Sequence, residues 1–307
     1  MNITPYRGRF APSPTGPLHF GSLVAAIGSY LDARAQGGKW LVRIEDLDPL
    51  RTLPGAANNI LRTLTAFGFD WDGEVVYQSQ RADLYRAALE KLREQNLIYP
   101  CACSRKEIAD SSIIGIDGLV YPGTCRAGIH HSNKTARAWR VRTQEKLNIF
   151  NDLLNSAISQ NIAKDIGDFV VWRVDDLAAY QLAVVVDDAA QGINHVVRGA
   201  DLIASSPRQI YLQQLLQLPT PQYLHLPVVL HTDGEKLSKQ NGAAALDAQR
   251  PLPTLLAALQ FLCQPTPDSD LNLKELWRWA ITHWSSNAIP RANKAIRKIC
   301  PLRNHSE

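Results

Sequence analysis

The sequence predicts an α/β protein whose core is a doubly wound parallel sheet. Short apolar strands alternate with amphipathic helices in residues 1–98, and the same alternation returns in residues 191–242. Between these halves, residues 99–190 break the rhythm with a cysteine-containing insertion before the chain returns to the sheet. Residues 243–307 have a helical pattern alone, so we expect a small helical C-terminal domain there.

The first half begins with a βαβ unit. A strand is predicted over Tyr6–Phe10, followed by a proline-punctuated loop and a helix that opens at Gly21-Ser22. A second, buried strand is predicted over residues 39–44. Because ligands bind at the carboxyl ends of the strands in such units, we expect His19 and Glu45 to sit at strand ends beside a ligand.

The second half returns to the sheet through an apparent hairpin. The pattern predicts a strand over residues 169–174, an Asp175-Asp176 turn, and an apolar strand over residues 180–186 with the character of a central strand. A further strand is predicted over residues 193–198, and a helix follows it to about residue 218.

Composition places the chain among ordinary globular proteins. Its 307 residues are 45% hydrophobic and 20% charged, and no stretch approaches the roughly 18 apolar residues that a membrane span requires. We therefore expect a cytoplasmic protein with no membrane contact. The net charge of +4, from 33 basic and 29 acidic residues, permits an acidic partner. The basic run of residues 290–303 suits either a nucleic-acid backbone or a solvated tail.

Two separated motifs indicate ATP-dependent activation of a carboxylate. Residues 17–22 read Pro-Leu-His-Phe-Gly-Ser, where unpaired N–H groups at a helix start attract phosphate, His19 donates a hydrogen bond and Gly21 leaves room for the nucleotide. Residues 236–240 read Lys-Leu-Ser-Lys-Gln, so Lys236 and Lys239 can present two ammonium groups to one triphosphate. The catalytic candidates are His19, Lys236 and Lys239; the ATP-binding candidates are His19, Gly21, Ser22 and Lys239.

These motifs resemble those of the class I aminoacyl-tRNA synthetases, with residues 17–22 as a HIGH-type motif and residues 236–240 as a KMSKS-type motif. Three further segments are similar to glutamyl-tRNA synthetases: Arg-Phe-Ala-Pro-Ser-Pro-Thr-Gly at 9–16, Arg-Ile-Glu-Asp-Leu-Asp at 43–48 and Val-Arg-Gly-Ala-Asp-Leu at 197–202. The resemblance reaches to about residue 262 and implies a Rossmann-type catalytic domain that uses Mg²⁺ with ATP. The chain departs from the general motifs at Phe20, Ser22 and Gln240.

Glutamate as the activated amino acid agrees with the charges of these segments. Its two carboxylates suit the guanidinium forks of Arg9 and Arg198, and its ammonium group suits the Glu45 carboxylate. The resemblance implies that the glutamate-binding positions are Arg9, Phe10, Ala11, Pro12, Ser13, Glu45, Tyr180 and Arg198.

The expected acceptor follows from what comes after the catalytic region. Glutamyl-tRNA synthetases continue into helical domains that read the anticodon, whereas this sequence ends at Glu307, so we expect no such domain. A short branch of the family activates glutamate without tRNA and esterifies it onto queuosine at the wobble position of tRNA(Asp). The resemblance thus implies the tRNA(Asp) anticodon loop as partner, with a monomer as the default state. The alternatives are a shortened synthetase that charges the 3′ end of tRNA(Glu) and a silent RNA-binding paralogue.

Three crowded cysteines indicate a structural metal site. Cys101, Cys103 and Cys125 lie within 25 residues of sequence, and a structural zinc site takes four protein ligands. On chemistry alone, His130 or the histidine after it is the fourth ligand. The short branch uses a Cys-x-Cys and Tyr-x-x-x-Cys arrangement, so the resemblance implies Tyr121, with His130 as the runner-up. Three reduced cysteines packed without metal are the alternative.

Overall fold

A computed structural model of the chain describes residues 4–115, 118–129, 133–230 and 244–291. The strands within these ranges are β1 (Arg7–Phe10), β2 (Lys39–Ile44), β3 (Val76–Tyr77), β4 (Ile98–Cys101), β5 (Ile113–Gly115), β6 (Gly118–Val120), β7 (Ala138–Val141), β8 (Leu147–Asp152), β9 (Ser156–Asn161), β10 (Val170–Trp172), β11 (His195–Gly199) and β12 (Gln222–Leu226). The helices are α1 (Phe20–Ala35), α2 (Ala56–Ala66), α3 (Ala82–Glu94), α4 (Arg105–Ser111), α5 (Ile162–Asp165), α6 (Tyr180–Ala190), α7 (Ser206–Leu216), α8 (Pro251–Phe261) and α9 (Leu273–His283).

Parallel strands form the centre of the molecule. The strands β1, β2 and β3 pair in that order and run parallel, and β11 pairs with β12 in parallel as well. The two sets meet where the Asn194 N–H donates to the Arg7 carbonyl oxygen over 3.1 Å. The Arg7 N–H in turn donates to Asn194 Oδ1 over 2.8 Å. The predicted α/β class is therefore confirmed, with sheets that mix parallel and antiparallel pairs.

The strand predicted over residues 180–186 is wrong, because these residues form the first turns of helix α6. Leu182 to Asp188 are all buried, so the segment is apolar on every face, and hydrophobic periodicity cannot separate a buried strand from a buried helix. The helix also satisfies two buried carboxylates. Asp187 accepts from Tyr85, and Asp188 accepts from Arg9 on the neighbouring strand.

The region between the two halves is largely antiparallel. The strands β4, β7 and β10 pair in the order β10-β7-β4, and β5 pairs with β6 as a small ribbon. The hairpin of β8 and β9 reaches the parallel strands, because Asp152 at the end of β8 pairs with Tyr223 of β12. This pairing places the carboxylate of Asp152, a residue of the insertion, at the edge of the central strands.

The C-terminal helices share a core with the first half of the chain. Helix α1 contacts β1, β2 and β11 and also α8 and α9. Leu259 and Trp277 belong to the same buried cluster as Leu23 and Trp40, and Trp277 Nε1 donates to the Phe67 carbonyl oxygen over 2.9 Å. The described C-terminal helices therefore help to hold α1, and with it the start of that helix, against the sheet. No helix among the described residues is long and apolar enough to cross a membrane.

Gly28 sets how closely α1 approaches β12. A Cβ atom at this position would lie 2.5 Å from Leu226 Cδ1, and Leu226 is fully buried. We expect Gly28→Ala to lower the free energy of unfolding by about 1–3 kcal/mol, because the steric overlap exceeds the helix propensity gained. Urea unfolding checks the value. The cost should shrink in a Leu226→Ala background, and equal costs in both backgrounds would contradict this packing.

Candidate active site

A cavity of about 760 Å³ lies where the parallel strands end. Phe10 closes β1, Glu45 follows β2, Gly199 ends β11 and Leu226 ends β12, and all four residues line this cavity. The sequence-predicted residues that also line it are Arg9, Ala11, Pro12, Ser13, His19, Gly21, Ser22, Tyr180 and Arg198. Every predicted glutamate-binding residue and most predicted ATP-binding residues therefore meet in one space.

His19 is the N-cap of helix α1, so the expectation that it ends a strand is wrong. Strand β1 already ends at Phe10, and the loop between them carries His19 to the helix start. The Ser22 N–H donates to His19 Nδ1 over 3.4 Å, which places the ring proton on Nε2 in the neutral imidazole. The N–H groups of Phe20 and Gly21, the first two residues of the helix, have no partner within the helix. This wall of the cavity thus offers donors to an anion.

Arg9 and Arg43 hold a buried carboxylate between them. Arg9 Nε donates to Asp188 Oδ1 over 3.2 Å, and Arg43 Nη1 donates to the same oxygen over 2.8 Å. Burial alone would raise the pKa of Asp188, but the two guanidinium groups lower it, so the carboxyl group stays ionised. Asp188 therefore fixes Arg9 in the cavity wall at the end of β1. Sequence reasoning missed both Arg43 and Asp188.

Glu45 lies beside this pair. Arg43 Nη2 donates to Glu45 Oε1 over 3.3 Å, and the Glu45 N–H donates to the Pro12 carbonyl oxygen, so the ends of β1 and β2 are joined. The Glu45 side chain is 8% exposed. Burial raises the pKa of this carboxyl group, while Arg43 and Arg9 oppose that shift. Glu45 thus places a carboxylate in a largely desolvated part of the cavity.

Arg198 is held on two of its nitrogens and leaves the third unpaired. Nε donates to His225 Nε2 over 3.1 Å, and Nη2 donates to Ser206 Oγ over 2.8 Å. Nη1 is buried and has no hydrogen-bond partner among the described residues. A buried N–H group without a partner costs free energy, so this donor suits a ligand oxygen. Tyr180, the first residue of α6, lines the same cavity and keeps 38% of its surface exposed.

The lysine motif with Lys236 and Lys239 lies outside the described residues. The described residues that flank it in sequence are at the cavity. Val229 lines the cavity, Ala245 forms a β-bridge with His19, and the Leu246 N–H donates to the Leu18 carbonyl oxygen over 3.0 Å.

The three clustered cysteines converge, and the Tyr121 hydroxyl lies among them. The Sγ atoms of Cys101, Cys103 and Cys125 are all within 4.8 Å of one another. Tyr121 Oη is 3.4 Å from Cys101 Sγ and 3.4 Å from Cys103 Sγ, and Cys103 Sγ is 3.5 Å from Cys125 Sγ. Thiolates at about 2.3 Å from a tetrahedral Zn²⁺ are about 3.8 Å apart, so the donor set fits this metal. His130 lies outside the described residues.

The thiols of the cluster differ in how readily they ionise. Burial raises the pKa of the Cys103 thiol to about 11. A coordinated divalent cation would lower this pKa and keep Cys103 as a thiolate. Burial opposes ionisation of Cys101 as well, but hydrogen bonds from Tyr121, the Cys103 N–H and Arg140 lower the pKa of that thiol. Arg140 further stacks on the Tyr121 ring, 3.8 Å from its centroid, which orients the phenol towards the sulfur atoms.

A family model described as "tRNA synthetases class I (E and Q), catalytic domain" matches residues 6–251. The solved structure of a glutamate-tRNA synthetase from Elizabethkingia anophelis superposes with a TM-score of 0.79 at 22% identity, over 94% of this chain and 67% of that one, and shows the same fold. The fold and the cavity thus define an ATP-dependent ligase of the class I tRNA synthetases of the E and Q group.

Within that class, the chain is similar to proteins named glutamyl-Q tRNA(Asp) synthetase. The protein from Dechloromonas aromatica is 58% identical over 292 residues, which are 94% of this chain and 97% of the relative. The protein from Chromobacterium violaceum is 55% identical over 290 residues, which are 94% of this chain and 97% of the relative. The chain belongs to this family of glutamyl-Q tRNA(Asp) synthetases.

Proposed function

We propose that this protein activates L-glutamate with ATP, without tRNA, and transfers the glutamyl group to queuosine at the wobble position of tRNA(Asp). The observation that carries the activation step is the cavity that combines two buried arginines, and a glutamate whose side chain is 8% exposed, with the start of helix α1. The acceptor is supported by the relatives named glutamyl-Q tRNA(Asp) synthetase, which cover nearly the whole chain. A cytoplasmic location agrees with both steps.

In this proposal the amino acid lies between Arg9, Glu45 and Arg198. Nη1 of Arg198 donates to one carboxylate, Arg9 stabilises the other, and Glu45 accepts from the ammonium group. Tyr180 covers the site from the first turn of α6. A carboxylate makes a charge-assisted hydrogen bond with Arg198 that a neutral glutamine amide cannot make, so the site favours glutamate over glutamine.

The nucleotide lies on the other wall. A glutamate carboxylate oxygen attacks the α-phosphorus, the new O–P bond forms, and the bond to pyrophosphate breaks. Charge on the phosphates is stabilised by the Nε2–H of His19, by the N–H groups near Gly21 and by Lys236 and Lys239. Mg²⁺ bound with ATP would supply further positive charge to the phosphates. A hydroxyl of the queuosine diol then attacks the acyl carbon and releases AMP.

The decisive experiment measures transfer of labelled glutamate to purified tRNA from cells with and without queuosine. Only queuosine-containing tRNA(Asp) is expected to accept glutamate, and it should still do so after removal of its 3′-terminal adenosine. Equal acceptance by both tRNA preparations would contradict the queuosine acceptor. Acceptance that disappears with the terminal adenosine would instead identify 3′-end charging of tRNA(Glu). Glutamate-dependent ATP–pyrophosphate exchange in the absence of tRNA tests the activation step by itself.

The cysteine cluster is proposed to hold one structural Zn²⁺ through Cys101, Cys103, Cys125 and Tyr121. Three thiolates and a fourth protein ligand leave no open position on the metal, so the site would brace the insertion and take no part in the chemistry.

Removal of one thiolate is expected to abolish this site. We expect the wild-type protein to contain one zinc per chain, Cys103→Ser to contain almost none, and Tyr121→Phe to bind zinc more weakly in competition with a chelator. Cys263→Ser, which removes a cysteine outside the cluster, is the matched control. Zinc retained by Cys103→Ser would contradict the site, and unchanged affinity in Tyr121→Phe would return the fourth position to His130.

A further inference from the structure

Arg198 is oriented by a chain of buried polar groups that comes from three separate parts of the fold. Asp152 ends strand β8 in the insertion, His225 lies on β12, and Ser206 is the first residue of α7. All three are nearly or fully inaccessible, with exposures of 3%, 0% and 0%. Most polar groups at such depth are hydrogen-bonded, and these three connect to Arg198 directly or through His225.

The proton positions in this chain follow from Arg198. A guanidinium Nε can only donate, so His225 Nε2, at 3.1 Å, must accept, and the imidazole is neutral with its proton on Nδ1. That proton is directed at Asp152 Oδ2, 2.7 Å away. Burial lowers the pKa of His225, and so does the positive charge of Arg198, while Asp152 opposes both. The imidazole therefore remains an acceptor towards Arg198.

Asp152 is anchored so that it cannot turn away. Its Oδ1 accepts from the Leu154 N–H, the Asn155 N–H and the Asn155 side-chain amide, and its Oδ2 accepts from the N–H and the Nδ1 of His225. Although burial would raise the pKa of Asp152, hydrogen bonding to His225 lowers it. Asp152 thus selects one tautomer of His225.

Ser206 completes the hold on the guanidinium. Its Oγ accepts from Arg198 Nη2 over 2.8 Å and is 3.0 Å from His225 Nε2, so it contacts both members of the pair. With Nε and Nη2 engaged, rotation of the guanidinium is blocked and the unpartnered Nη1 keeps one direction. Fixed donors bind a carboxylate without an ordering cost at the moment of binding.

We propose that Asp152, His225 and Ser206 are positioning residues that hold Arg198 in the orientation in which it binds the glutamate carboxylate. This inference rests on the proposed glutamate-binding role of Arg198. Under this proposal the hairpin of β8 and β9 is part of the amino-acid site. Asp152, the last residue of β8, determines how Arg198 on β11 presents its donors.

The sharpest variant is Asp152→Asn. The asparagine oxygen will face the three donors of residues 154 and 155, so its NH₂ group will face His225. There it loses the bond from the His225 backbone N–H and donates to Nδ1, which reverses the tautomer. The proton then lies on Nε2 and opposes Arg198 Nε. We expect the Kd for glutamate, measured by calorimetry on the full chain, to rise about tenfold, and the Kd for ATP to stay unchanged.

Two further variants separate positioning from folding. Ser206→Ala removes one acceptor with little change in shape and is expected to raise the glutamate Kd about threefold to tenfold. His225→Gln keeps an acceptor at the position of Nε2 and is expected to stay within about threefold of the wild type. Asp168→Asn is the matched control, because it removes an equally buried carboxylate outside the cavity and should lower stability in urea without changing the glutamate Kd.

Wild-type glutamate affinity in Asp152→Asn and Ser206→Ala would overturn the inference, and so would equal losses for glutamate and ATP. A loss in His225→Gln as large as in Asp152→Asn would also overturn it. If Asp152→Asn does not fold, Ser206→Ala decides. A wild-type protein that shows no saturable glutamate binding would contradict the proposed function itself, which distinguishes the two failures.

Discussion

Arg198→Ala is expected to reduce kcat/KM for glutamate in ATP–pyrophosphate exchange by about a thousandfold, with a much smaller effect on the KM for ATP. Truncation removes the buried donor at Nη1 and leaves a substrate carboxylate desolvated without its partner. It also leaves His225 and Ser206 without the guanidinium they contact. Steady-state exchange with glutamate and ATP varied separately gives the two constants.

Arg198→Lys is the informative companion to this variant. It keeps the positive charge but lacks the planar fork, so it cannot engage His225, Ser206 and a ligand oxygen at once. We expect its activity to lie between those of the wild type and Arg198→Ala. Arg86→Ala, which removes an exposed arginine paired with Asp176 away from the cavity, should change kcat/KM by less than about twofold. Exchange within tenfold of wild type in Arg198→Ala would contradict the assigned role.

Glu45→Gln is expected to raise the Kd for glutamate about a hundredfold at pH 8, because a neutral amide replaces the anion that faces the ammonium group in a desolvated site. The pH dependence gives a second test. Burial raises the pKa of Glu45, so this carboxyl group becomes protonated at a higher pH than an ordinary glutamate does as the pH falls. Wild-type glutamate affinity should therefore weaken as the pH falls and this carboxyl group takes up a proton.

The glutamate affinity of Glu45→Gln should depend less on pH than that of the wild type, since the variant lacks the titrating carboxyl group of Glu45. The two curves of affinity against pH should approach each other at low pH. Asp46→Asn is the matched control. Asp46 is the next residue in sequence, but its carboxylate accepts from the N–H and the hydroxyl of Ser79 and does not line the cavity. Parallel pH profiles for wild type and Glu45→Gln would show that Glu45 does not hold the ammonium group.

Local sequence patterns predicted much of the secondary structure. The strand at residues 39–44 forms with its predicted bounds, and the helix predicted to open at Gly21-Ser22 begins at Phe20, because each depends on its own periodicity and on its own end signals. The strand predicted at residues 180–186 was wrong because this segment has no visible periodicity. A run that is buried on all sides has no polar face, so its period is invisible and only its neighbours determine its conformation.

The predicted site residues could be named from motifs, but their partners could not. Arg43 within an apolar strand and the acidic pair at the end of the apolar run of α6 were visible signals of buried ion pairs, since such charges are seldom buried alone. His225 in the alternating strand Tyr-Leu-His-Leu was a weaker signal of the same kind. None of these signals says which residue the charge contacts.

The sequence by itself determined the alternation of strands and helices, the start of α1, the spacing of the cysteines and the family resemblance, because each is a property of neighbouring residues. Only the tertiary structure decided how the cavity is built. Asp188 lies 179 residues from Arg9, and His225 lies 73 residues from Asp152. Contacts at such separations depend on how strands and helices pack, and packing fixes the direction of a guanidinium that no local pattern specifies.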